Sequence, residues 1–111
     1  MTTASITENL VYNENKPAVT KLMETSTTKE IRILMRKGQL MKEHTAPFPI
    51  VVSLFKGSVD FGVNGEIQQL KKGDLIALKE NVPHDLLCTE DCIIRLSLSK
   101  LDTVKRVESV A

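Results

Sequence analysis

The chain has 111 residues, with 15 Lys and Arg against 14 Asp and Glu and a net charge of +1. That length holds one domain with a modest core, and the scattered, balanced charge writes no nucleic-acid footprint. No apolar run is long enough for a bilayer, and Met1-Thr-Thr-Ala-Ser lacks the basic start and apolar centre of a secretory signal; a cytoplasmic protein without a membrane partner is expected.

Residues 1–17 are polar and aperiodic, which predicts a loosely attached arm with at most one short strand at Leu10–Tyr12. From residue 18 to 100 the pattern is β-type, in short segments divided by turn residues. Glu30–Met35 is rich in Ile and Leu and alternates weakly. Ile50–Phe55 is almost continuously apolar, as expected of a strand covered on both faces. Val59, Phe61 and Val63 alternate with polar or small residues, giving a half-buried strand that Asn64-Gly65 turns back as a type I′ hairpin. Ile67–Leu70 returns, Lys71–Asp74 turns in solvent, and Leu75–Leu78 reads as a further buried strand.

The last strands carry facing information. Period-two alternation puts His84, Leu86 and Cys88 on one side; beyond a turn at Thr89–Asp91, Ile94, Leu96 and Leu98 face inward while Arg95, Ser97 and Ser99 face water. Many short strands with regular Gly, Asn and Pro punctuation predict an all-β barrel or jelly roll. Residues 101–111 place Leu101, Val104, Val107 and Val110 three apart, which fits either a short helix laid on the sheet or on a neighbouring subunit, or a frayed tail. Cys88 and Cys92, separated by three residues, match neither a redox nor a zinc spacing and read as two free, partly buried thiols ahead of a disulfide. Met23, Met35 and Met41 read as packing residues.

His44 and His84 are the only histidines. Imidazole is the commonest transition-metal ligand in proteins, and two converging rings make half of a coordination shell. Gly38, His44 and Gly57 on one side of the Asn64-Gly65 turn, and Gly73, Asn81 and His84 on the other, have a spacing that resembles the paired motifs of the cupin superfamily. The resemblance covers roughly residues 30 to 98. It implies a double-stranded β-helix with one cupin domain, His44 and His84 as metal ligands, and a homodimer in which the arm and an edge strand are exchangeable parts.

The departures from the pattern bear on function. Ala46 stands at the second motif histidine, Ile50 at the motif glutamate, Lys79 at a proline and Asn81 at the turn glycine; Asn tolerates the left-handed conformation, so the turn survives. No hidden third ligand emerges from spacing. Glu43 and Asp85 are expected to point away from their histidine neighbours, Cys88 is too distant along the strand, and Lys42 shares the face of His44, favouring an anionic ligand.

Two functional readings follow, neither of which settles whether the protein is an enzyme. One is a small cupin binding a divalent ion (Zn, Fe, Ni or Mn) and a small molecule through His44 and His84, its activity unassigned. The other is a metal-free small-ligand binding or sensing module, in which the apolar stripe of Ile50, Val52, Leu54, Phe61, Leu86, Ile94 and Leu96 is core and lines whatever cavity the barrel keeps. A third, structural, possibility is self-association alone.

Overall fold

The computed structural model describes residues 1–111. Seven strands and one helix follow in order: β1 (Ala18–Glu24), β2 (Thr28–Met35), β3 (Leu40–His44), β4 (Ile50–Val63), β5 (Glu66–Lys71), β6 (Leu75–Leu78), β7 (His84–Ser99) and α1 (Val104–Glu108). All pairings are antiparallel, in the order β1-β2-β7-β4-β5, with β3 also on β7 and β6 also on β4. This is an all-β double-stranded β-helix with one short helix, as the patterning predicts.

Two long strands make the roll. The sequence predicts separate strands at Ile50–Phe55 and Val59–Val63, and again either side of a turn at Thr89–Asp91. Instead β4 and β7 run unbroken for 14 and 16 residues and pair with each other at both ends. The corner is taken by register irregularities between Leu54 and Val59, so the ladder bends without ending. Gly57 sits at that corner with φ +84°, its α-carbon facing the Asp91 carbonyl and Cys92 backbone. β7 is the common spine: its first half pairs with β3 and its second half with β2.

The core lies between the two layers. Ile31, Ile33, Val52, Leu54, Phe61, Leu86, Ile94, Leu96 and Leu98 are buried, so the predicted inward set of β7 holds. Two burial expectations do not. Val51 and Phe55 are 37% and 45% exposed, so Ile50–Phe55 buries one face only. Leu75 is 68% exposed, and β6 offers just Ile76 and Leu78 to the core, because it pairs with β4 alone at a sheet edge. The strand that is covered on both faces is β2, where Glu30 through Met35 are all buried.

The N-terminal arm explains that cover and corrects its own prediction. It forms no strand at Leu10–Tyr12 and it is tied down. The buried Arg32 guanidinium donates to the carbonyls of Glu8 at 2.8 Å and Asn9 at 3.2 Å, and the Arg36 guanidinium lies 4.3 Å over the Tyr12 ring. A buried arginine needs acceptors, and an irregular segment has carbonyls to spare. Beside it, Glu30 accepts from Arg95 Nε at 2.9 Å and Ser97 Oγ at 2.8 Å.

The C-terminal segment is a helix, not a frayed tail. Thr103 caps it by accepting from the Arg106 amide at 3.2 Å, and Val107 is only 2% exposed. Cys88 and Cys92 are free and buried, and burial raises both thiol pKa values, which makes them poor nucleophiles.

Candidate functional site

His44 ends β3 and His84 begins β7, and the two are direct cross-strand partners. Their ring centroids lie 4.2 Å apart, tilted by 58°. On its other side His84 pairs with Val63 of β4, and its ring stacks on Phe61 at 5.5 Å and 7°. The turn that delivers His84 has Asn81 at φ +60°, the left-handed conformation expected of it, and the Asn81 amide donates to the Ala46 carbonyl at 2.8 Å. That bond holds the two motif loops together.

The hydrogen bonds fix the tautomers. Nδ1 of His44 meets the Lys42 carbonyl at 2.6 Å, and Nδ1 of His84 meets the Val82 carbonyl at 2.9 Å. A carbonyl only accepts, so each Nδ1 carries the proton, and in a neutral ring each Nε2 presents a lone pair. Neither Nε2 has a hydrogen-bond partner in the chain. Both imidazoles have lowered pKa values: burial is the main cause for each, and the nearby Arg106 charge adds to it. The rings are therefore neutral at pH 7.

This neutrality has a consequence for stability. An unfolded histidine titrates near pH 6.5, so between that value and the lower folded ones the unfolded chain binds more protons. Stability is full above about pH 6.5 and declines as pH falls through that window. Thermal melts from pH 7.5 to 5 should show the decline, and it should shrink in the His44→Gln/His84→Gln variant. The Glu30 pKa is lowered too: burial opposes the shift, and hydrogen bonds from Thr28, Ser97 and Arg95 win. Its contribution is lost only below about pH 4.5, a separate window.

The pocket around the rings is aliphatic and nearly full. Ile33, Met41, Ile50, Val52, Leu86, Ile94 and Leu96 line it, with Arg106 and Val107 of α1 closing it. The remaining volume is about 20 Å³, room for roughly one water molecule. A drug-sized ligand occupies a pocket of about 300–1,000 Å³, so the ligand cavity expected in the barrel is closed in this conformation.

Sequence reasoning placed the histidines together and missed two features. Lys42 does not share the face of His44: the register irregularity between Met41 and His44 inserts an extra residue, so Met41 and His44 point inward and Lys42 is exposed. The cation that does reach the site is Arg106. Its Nε and Nη2 bind the buried Asp102 carboxylate at 2.7 and 2.8 Å, and its Nη1 donates to the Thr45 carbonyl at 3.2 Å. Only its place between Val104 and Val107 in the three-spaced stripe hinted at it.

The donor set is short of what a resident metal needs. Two imidazole nitrogens are available, whereas a catalytic zinc takes three protein ligands. No group of three or more His, Cys, Asp and Glu that could hold an ion occurs in the chain. Ala46 and Ile50, at the positions of the missing motif ligands, are buried with the core at 3% and 4% exposure and offer no donor atom from their side chains. These residues do not fit a resident cation.

Fold and site together define a double-stranded β-helix with a two-histidine pocket. Solved structures give that class its name. An RmlC-like cupin from Desulfovibrio desulfuricans superposes with TM-score 0.79 at 13% identity, over 89% of this chain and 96% of that one. A cupin-superfamily protein from Desulfitobacterium hafniense gives TM-score 0.74 at 10% identity, over 81% and 83%. A Cupin 2 conserved barrel domain protein from Leptotrichia buccalis gives 0.73 at 27% identity, over 82% of this chain and 44% of that one. The chain is thus a small domain with the cupin fold. No protein-family model and no curated protein sequence matches it. No helix is long and apolar enough to cross a membrane.

Proposed function

We propose that this cupin domain is a metal-independent binding module for a small, largely aliphatic molecule that bears a hydrogen-bond donor. The observation that carries this reading is the pair of unpartnered Nε2 lone pairs in an aliphatic pocket. No donor of the chain meets either lone pair, and a hydroxyl or carboxylic acid proton brought between the rings would be accepted by one of them in largely aliphatic surroundings. The walls select the rest of the molecule by size and apolarity.

The test is binding by chelator-stripped protein. Small branched alcohols and acids, screened by saturation-transfer NMR, are expected to bind without added metal, and the His44→Ala/His84→Ala variant is expected to lose the signal. Binding that appears only after a divalent ion is restored would overturn the reading.

A further inference from the structure

We propose that residues 102–111 form a displaceable plug, which occupies the ligand position between the barrel walls and must swing out before a ligand can enter the pocket between the part-exposed His44 and the buried His84. This rests on the binding role proposed above, but its test needs no ligand. Val107 is 2% exposed, belongs to the same core cluster as Ile33, Met41 and Ile50, and lines the same pocket as the two imidazoles. Its isopropyl group stands where an aliphatic ligand would.

The segment holding Val107 in place is fastened mostly by apolar packing, with Val104, Val110 and Ala111 against the core, and by few polar bonds to the barrel. A helix of five residues has no stability of its own. No backbone hydrogen bond joins residues 103–111 to a strand; those they make are local. The polar ties of residues 102–111 to the barrel are three: Arg106 Nη1 to the Thr45 carbonyl at 3.2 Å, Lys29 Nζ to the Asp102 carbonyl, and, at the hinge, the Asp102 amide to the Ser99 carbonyl at 3.0 Å. The Asp102–Arg106 pair braces the segment internally, its carboxylate 1% exposed. Segments with few ties to the sheet are the ones that open locally without global unfolding.

Displacement would leave a valine-sized, aliphatic space open to solvent beside both Nε2 atoms. Ligand and plug then compete for one volume, and apparent affinity is scaled by the fraction of molecules that are open. The plug therefore sets how readily the pocket fills.

Diethyl pyrocarbonate, which acylates unprotonated imidazole nitrogen, tests this in the full-length chain at pH 7. Modification of His44 and His84 is followed by mass spectrometry in the parent, Val107→Ser and Asp102→Asn proteins, with trypsin cleavage after Lys105 reporting release of the segment. His84, 3% exposed in the closed form, is expected to react at least tenfold faster in both variants, in step with faster cleavage and with an unchanged β-sheet circular dichroism spectrum. If Val107→Ser unfolds the barrel, Asp102→Asn decides, since its side chain binds only within the segment. Release of the segment with His84 still slow would overturn the proposal. So would no change in either rate in Asp102→Asn. Failure of the binding screen alone would leave this result intact, so the two proposals can fail separately.

Discussion

Phe61→Ala is expected to lower the free energy of unfolding by about 3–5 kcal/mol, the usual cost of removing a buried aromatic ring. Phe61 is fully buried, on β4 opposite Leu86 of β7, at the seam of the two longest strands. The cost has two sources: lost transfer free energy, and a cavity the surrounding strands cannot collapse into. There is also a local effect. The Phe61 ring is the flat surface on which His84 lies, 5.5 Å away and nearly parallel. Without it the imidazole can rotate out of line with the Val82 carbonyl, so the Nδ1–H tautomer should become less uniform. Urea denaturation measures the first effect and histidine side-chain NMR the second. A loss below about 1 kcal/mol would contradict the packing described here.

Gly57→Ala is expected to be the most damaging single-methyl addition in the chain, costing about 3 kcal/mol or more. A left-handed backbone with a β-carbon accounts for only about 1–2 kcal/mol of that. The rest is collision: an added β-carbon would overlap the Asp91 carbonyl oxygen and come within 2.8 Å of the Cys92 α-carbon. Both contacts are backbone on β7, so relief requires moving the corner at which both long strands bend. Gly38 and Gly73 provide the control, with φ of +92° and +95° and open space around each. Gly38→Ala and Gly73→Ala should show the conformational cost alone. Equal losses at the three positions in denaturant melts would show that the corner is more pliable than the geometry indicates.

Much of this architecture is legible in the residues because it depends on local chemistry. Asn64-Gly65 and Asn81 adopt the positive φ values their types favour, and the spacing of His44 and His84 to their glycines places both rings in contact. What could not be read depends on distant partners. Thr89–Asp91 looks like a turn, yet pairing on both flanks holds β7 extended through it. Leu75 has the composition of a buried strand but lies at an edge. Strict alternation put Lys42 on the wrong face because one irregular residue in β3 reverses the parity. The arm carries no apolar pattern, since it is fastened through backbone carbonyls to Arg32, and main-chain acceptors leave no mark on composition. Arg106 was barely marked for a related reason: its role arises from where a five-residue helix docks.

On this reading the two imidazoles are neutral acceptors awaiting a hydrogen-bond donor, not the ligands of a resident cation. Long-range ¹H–¹⁵N correlation of the histidine side chains at pH 7, before and after equimolar zinc is added to chelator-stripped protein, tests it most directly. Two Nδ1-protonated rings with bare Nε2 atoms, unchanged by zinc, are expected. A stoichiometric shift of both Nε2 resonances into the metal-bound range would contradict this reading.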